Sequence, residues 1–252
     1  MKNLWFGGQC SNRFGLMITG SGTYDAPERD IETVSVPGRN GDLILDNGRY
    51  KNIAVFYPIA IGGDFPERAA KVRAWLLSKP GYQRLEDDYS PDTFRMARFK
   101  GQLNFDVKLL NRAAEATLTF DCKPQRFLKS GELPIILTQE NMKYAGLGVY
   151  TSYLCNPTSF PAKPLLIVHG SDGIVVHVYV AGIVFKFTST TNPMYIDCET
   201  QNAYRLLEDG TMENANSEIS IANFPVLAPG ETRVSISARV DKLEIIPRWW
   251  TL

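Results

Sequence analysis

Short β-rich runs punctuated by tight turns mark a mostly β chain, built as two domains with one helix. Three observations carry this. Turn signals recur at Gly20-Ser-Gly22, Gly38-Arg-Asn-Gly41, Asp46-Asn-Gly48, Gly170-Ser-Asp-Gly173 and Asp209-Gly210, the spacing of an antiparallel sandwich or barrel. A single segment has helical period. A polar stretch, Lys129-Ser-Gly-Glu-Leu-Pro134, separates two sets of strands and reads as the linker between domains.

The clearest hairpin spans Ile31 to Phe56, with Val34 and Val36 on one strand and Tyr50, Ile53 and Val55 on the other. Two tight turns, Arg39-Asn-Gly41 and Asp46-Asn-Gly48, suit the left-handed backbone that Asn and Gly accept. A lone hairpin is marginal in water, so its face is expected to pack on the helix, on the domain body or on another subunit.

The helix follows, from Asp64 as candidate N-cap with Glu67 three residues on, to a stop at Lys79-Pro-Gly81. Ala69, Val72 and Leu76 form its apolar stripe, which is expected to plug one sheet. Ala113 to Cys122 alternates Ala114, Ala116, Leu118, Phe120 and Cys122 with Glu115, Thr117, Thr119 and Asp121, a half-buried strand that Pro124-Gln-Arg-Phe127 is expected to end. After the linker come Pro161–Val168, Ile174–Val180, Ile183–Phe187, Tyr195–Cys198, Ala203–Leu207, Ile219–Ile221, Arg233–Ser237 and Leu243–Ile246, a second sandwich.

The 252 residues are 44% apolar and 21% charged, a globular composition. Lys+Arg and Asp+Glu are both 27, so no overall field holds a polyanion, and nucleic-acid binding is not expected. Apolar runs such as Pro164–Val168 and Ile174–Val176 fall far short of the ~20 residues of a membrane helix. The first residues, Met1 to Gly8, lack the apolar core of a signal peptide, which points to synthesis and retention in a cytoplasm. Cys10, Cys122, Cys155 and Cys198 lie tens of residues apart and are expected to be buried, reduced thiols.

Candidates for chemistry are thin, and no cofactor is expected. His169 and His177 are eight apart, but the turn at Gly170–Gly173 breaks the strand that would align them. Glu86, Asp87, Asp88 and Asp92 form the densest acidic patch, without the alternating ligands and fixed Gly of a calcium loop, and read as a solvated turn. Asp197 and Glu199 offer a carboxylate pair of the kind glycosidases use, as any β protein does by chance. Gly62-Gly63 before the helix reads as a flexible loop rather than an anion nest. No nucleophile-elbow, phosphate-loop, zinc-protease or dinucleotide motif occurs. Trp249 and Trp250 near the C-terminus are either tucked against the body or exposed as interface or sugar-stacking residues.

The order of these landmarks resembles the distal tail protein (tail hub) family of siphophages, over nearly the whole chain. The residues are Val34-Ser-Val-Pro-Gly-Arg-Asn-Gly-Asp42, the helix Phe65 to Leu77, and Leu118-Thr-Phe-Asp-Cys-Lys-Pro-Gln-Arg-Phe127 in the first half. In the second half they are Asn156-Pro157, Pro164-Leu-Leu-Ile-Val-His-Gly170, Tyr195-Ile-Asp-Cys198 with Tyr204, Phe224 to Ser237, and Leu243-Glu-Ile-Ile-Pro-Arg-Trp-Trp250.

The resemblance implies a small β-barrel-like N-terminal domain with one helix and an extended hairpin, and a galectin-like β-sandwich C-terminal domain on the outside of the ring. It places residues 1–129 together with 240–252 in the ring-forming domain, and 130–239 in the sandwich. Ile245, Ile246, Trp249 and Trp250 would then return to the first domain. By its shape the hairpin is the arm that embraces a neighbour, with Arg39, Asn40, Asp46, Asn47 and Tyr50 as ring contacts.

The implied function is structural: a hexameric ring in the virion tail, assembled in the bacterial host cytoplasm, that joins the tail tube protein to the tail-tip protein. Some members also anchor a receptor-binding protein, and DNA passes through without being bound. The main alternative is a carbohydrate-binding module for host-surface adhesion; a weaker one is a sandwich hydrolase using Asp197 or the acidic patch.

Overall fold

The computed structural model describes residues 2–108 and 112–252. The fold is mostly β, as expected, and divides into two compact units: residues 1–126 with Leu252, and Phe127–Thr251.

The first unit contains β1 (Leu4–Phe6), β2 (Gln9–Cys10), β3 (Leu16–Ile18), β4 (Arg29–Val34), β5 (Leu43–Tyr50), β6 (Ile53–Gly62), α1 (Phe65–Leu77), β7 (Gln83–Asp87), β8 (Thr93–Phe99), β9 (Asp106–Lys108) and most of β10 (Ala113–Leu128). Strict alternation makes β6 the backbone of its sheet: Ile53, Val55, Tyr57, Ile59 and Ile61 all turn inward. It pairs antiparallel with β10 from Ala113 opposite Gly62 to Cys122 opposite Ile53. The sheet runs β2-β1-β7-β8-β10-β6-β3, and a bridge from Ile18 to Lys2 links its far edge back toward β1, so it curls into a barrel-like body.

Helix α1 supplies Phe65, Ala69, Val72, Trp75 and Leu76 to the same core. Trp75 donates its indole N–H to the Phe6 carbonyl at 3.0 Å and stacks on Phe14 with ring centres 4.6 Å apart. The expected N-cap is not made: Asp64 precedes the helix, but its side chain caps no N–H. The Phe65 N–H is already bonded to the Gly63 carbonyl, and Pro66 has none to offer.

Three expectations change in this unit. Asp46-Asn-Gly48 is not a turn but a bulge inside β5, since pairing steps from Arg29–Tyr50 to Ile31–Asp46 with residues 47–49 looped out and Gly48 at φ 68°. The arm is therefore Arg29–Tyr50, and Ile53 and Val55 belong to the core through β6. Finally, β10 runs on through Pro124 to Leu128, because its ladder with β6 has ended at Cys122 and the missing proline N–H costs that ladder nothing.

The second unit contains β11 (Ile135–Leu137), β12 (Lys143–Gly146), β13 (Val149–Asn156), β14 (Leu165–Gly170), β15 (Val175–Val180), β16 (Ile183–Thr188), β17 (Met194–Asp197), β18 (Asn202–Leu206), β19 (Met212–Asn214), β20 (Ser220–Ile221), β21 (Gly230–Ser237) and β22 (Val240–Ile246). They form two six-stranded sheets, β11-β22-β14-β17-β18-β19 and β12-β13-β21-β15-β16-β20. Inward residues of both, such as Leu166, Val168, Ile196 and Ile245 from one and Val176, Val178, Phe185 and Ile236 from the other, make the core of a sandwich.

The contacts of the chain's end differ from expectation. Ile245 is fully buried between Ile135 and Leu166, Ile246 pairs with Leu165, and Trp249 lies in the sandwich core. Trp250 stacks on Phe160 at 4.5 Å and donates to the Pro161 carbonyl at 2.9 Å. Residues 240–251 cluster with the second unit, where β22 is an internal strand paired on both edges, and Trp250–Thr251 form a short final strand, β23, paired with β10. The stretch read as a linker is itself packed: Gly131 accepts from the Arg248 N–H at 2.8 Å, and a Cβ there would lie 2.4 Å from the Trp249 nitrogen.

Of the cysteines, Cys122 and Cys198 are buried, and burial pushes each thiol up to about 12. Cys155 is exposed and Cys10 half-buried, so the expectation of buried thiols holds for only two.

Phe120 is fully buried among Phe6, Tyr57 and Phe99, with ring centres 5.0 to 5.9 Å away. Phe120→Ala should destabilise the first unit by about 3–5 kcal/mol, read from chemical denaturation.

Candidate functional site

A two-stranded ribbon buries neither of its faces unless something covers it. In this chain β4 and β5 form such a ribbon as a separate sheet, and their residues are almost all exposed. Five of them are nevertheless apolar: Ile31 and Val34 on β4, and Leu43, Ile44 and Leu45 on β5. Val34 pairs with Leu43, and Glu32 with Leu45, on one face; Thr33 pairs with Ile44, and Ile31 with Asp46, on the other. Ile44 is 62% exposed and Leu45 45%, and Val36 continues the stripe toward the tip. Exposed aliphatic side chains clustered on both faces are uncommon on a surface that stays in water.

The root of the ribbon is clamped by charge. The Arg29 guanidinium lies 2.6 Å from Asp46 and donates to the Tyr50 hydroxyl at 3.1 Å, with its plane over the Tyr50 ring. Arg49 pairs with Asp30 at 2.7 Å and Lys51 with Glu28 at 3.2 Å. The Arg29 hydrogen bond, reinforced by the Gly48 N–H, holds the Asp46 carboxyl below the usual carboxylate range. Arg49 does the same for Asp30.

The five residues expected as contacts therefore divide. Asp46 and Tyr50 are engaged with Arg29 inside the arm, Asn47 sits on the bulge, and Arg39 and Asn40 lie exposed in the loop between the strands. The aliphatic residues Leu43, Ile44 and Leu45 escaped sequence reasoning. Their signal was an unbroken apolar triplet in a segment that otherwise alternates, which in a ribbon asks for cover on both faces.

The candidates for chemistry are dispersed or occupied. Asp197 accepts both guanidinium nitrogens of Arg248, at 2.7 and 3.1 Å, together with the N–H groups of Glu199 and Thr200. Burial pushes its carboxyl up, but Arg248 and those N–H groups outweigh burial and hold it below the usual range. Glu199 points instead to Lys163, 3.6 Å away, so the two carboxylates do not converge.

In the acidic patch, Asp87 accepts from the Tyr57 hydroxyl and from two backbone N–H groups, Asp88 accepts from Asn3, and Glu86 pairs with Arg84. His169 bonds Glu244 at 2.8 Å, while His177 lies on β15 in the other sheet. The Gly62 carbonyl beside the helix accepts from Arg68 at 2.6 Å. Among the described residues no cluster of His, Cys, Asp and Glu is arranged to hold a metal ion, and no described helix is long and apolar enough to cross a membrane.

Two outcomes follow from these ion pairs. A carboxylate depressed by its partner stabilises the fold fully above the ordinary aspartate value of about 4 and loses that contribution as pH falls through its folded value. Carbon-detected NMR should place the Asp46 midpoint below that value, and Arg29→Gln should bring it back up. Arg248 has a left-handed backbone, φ 57°, and its side chain makes the bidentate pair with Asp197. Arg248→Met, which strands the Asp197 carboxylate, should destabilise the second unit by about 3 kcal/mol in denaturant titrations.

No protein-family model and no curated protein matches this chain. Solved structures do. SPP1 Dit, described as a paradigm of the hub adsorption apparatus in phages infecting Gram-positive bacteria, matches with a TM-score of 0.74 at 11% identity, over 97% of this chain and 98% of that one. Chains of the phage p2 baseplate in its activated conformation, with Sr and with Ca, each match at 0.57 and 9% identity over 97% of both chains. At such identities the likeness is one of fold, shared end to end with SPP1 Dit and with chains of the phage p2 baseplate.

Proposed function

We propose that this protein is a structural component of a phage tail tip, a hub that assembles as a hexameric ring. In this reading the ring joins the tail tube protein to the tail-tip protein and offers an anchor for receptor-binding proteins. The protein acts in the virion tail after assembly in the bacterial cytoplasm. The observation that carries the proposal is the arm: Leu43, Ile44, Leu45 and Val34 lie exposed on a clamped ribbon, a surface for another copy of this chain.

End-to-end similarity to SPP1 Dit supports the same reading, since the arm belongs to a fold otherwise used in hub and baseplate structures. The balance of 27 basic and 27 acidic residues suits a ring that lets DNA through without holding it. The carboxylates considered for hydrolysis are bound up in ion pairs and backbone contacts, which favours geometry over chemistry as the protein's work.

Light scattering of the purified protein should give a mass six times that of the 28.2 kDa chain. The double variant Ile44→Asp, Leu45→Asp should fold, with an unchanged circular dichroism spectrum, and remain monomeric. A wild-type monomer at high concentration, or a variant that still assembles, refutes the arm as the ring contact.

A further inference from the structure

The two sheets of the second unit differ in charge. Strands β12, β13, β15, β16, β20 and β21 carry three cations, Lys143, Lys186 and Arg233, and one carboxylate, Glu231, whereas the strands of the other sheet carry two cations and four carboxylates. On that acidic sheet both cations are spent: Lys242 lies 2.7 Å from Glu244, and Arg205 lies 2.5 Å from Glu218. On the basic sheet Lys143, Lys186 and Arg233 form no ion pair among the described residues. Register puts them on one face. Val176, Val178, Phe185, Val234 and Ile236 turn into the core, so by alternation His177, Tyr179, Lys186, Arg233 and Ser235 turn out.

We propose that this outward face binds an anionic glycan, a chain of hydroxyl-bearing units with an acidic group on some of them. Charge complementarity is the first argument. Three unpaired cations answer to one carboxylate, and Arg233 donates to the Thr151 hydroxyl at 3.3 Å, on the side of it away from Glu231. The loops at the ends of this sheet carry Glu140, Asp172 and Arg239, beyond the strands, so the face itself stays positive.

Spacing is the second argument. Strand separation and rise put Arg233 about 12 Å from Lys143 and about 16 Å from Lys186, far wider than nucleic-acid phosphates, which recur every ~3.4 Å along a strand. Sparse cations suit a polymer whose acidic groups are separated by neutral units. The surface between them is the third argument. Thr151, Ser235 and Tyr179 stand in register across three strands as a row of hydroxyls, the first two joined at 2.7 Å, and Tyr153, opposite Arg233 and 61% exposed, offers a ring on which a sugar can stack beside the guanidinium. A face built for water alone needs no such ring. These residues come from separate strands and meet only through pairing, and the site stands independently of ring assembly.

Isothermal titration of the full chain with oligogalacturonate, with a phosphomannan and with polyglutamate of matched charge tests this. At least one of the two acidic glycans should bind, the carboxylate or the phosphate form telling which acid the face takes, and affinity should fall as sodium chloride is raised. Arg233→Gln and Tyr153→Ala should each weaken binding at least about threefold, while Lys242→Gln on the other sheet should leave it unchanged. Binding of neither glycan overturns the proposal. Equally tight binding of polyglutamate or of a single-stranded oligonucleotide overturns it too, since charge alone would then suffice, as does glycan binding that survives both variants.

Discussion

The ladder between β6 and β10 holds the first unit together, and most other elements of that unit take their positions from it. Ten consecutive residue pairs run from Ala113–Gly62 to Cys122–Ile53, setting Phe120 opposite Val55 and Leu118 opposite Tyr57. Because side chains alternate, this one register decides which residues meet the helix and which face outward. At one end the chain leaves the ladder into α1, whose Trp75 is tied to β1; at the other it is continuous with the arm. Asn52, at the join between arm and ladder, donates to the Tyr82 hydroxyl and to Asp121. The arm is therefore rooted in a rigid strand, which lets a two-stranded ribbon stand out from its own core.

The two units divide their polar residues in the same manner. Asp197 with Arg248 fixes the final segment of the sandwich, Arg205 with Glu218 and Thr190 ties down β18, and Arg29 with Asp46 and Tyr50 fixes the arm. In each case a carboxylate or hydroxyl is held by an arginine that fixes the local geometry. The exposed aliphatic side chains of the arm, Leu43, Ile44 and Leu45, take no part in these ion pairs.

Much of this was readable from local pattern. Helix α1 lies inside the segment from Asp64 to Lys79-Pro-Gly81 that one apolar stripe and a Pro-Gly stop mark, and the eight runs expected in the second half each coincide with a strand or overlap one, from β14 to β22. The strand Val149–Asn156 was not found, since its mixture of tyrosine, serine, threonine and cysteine carries weak alternation, although it pairs along its whole length with β21. The fold class was legible; the residues of the arm surface were legible only in part, as Arg39 and Asn40 at its tip but not Ile44 or Leu45 on its faces.

The sequence by itself determined the strand content, the single helix, the balance of charge and the existence of an extended hairpin, because each depends on residues within a few positions of one another. Tertiary structure decided the rest. Asp46-Asn-Gly48 suits a turn and a bulge equally well, and only the register against β4 makes it a bulge. Ile245 to Trp250 could have joined either unit, and pairing with Ile135 and Leu166, more than seventy residues away, settled it. Likewise nothing local tells that Arg95 turns inward, since burial of a side chain is fixed by what folds over it.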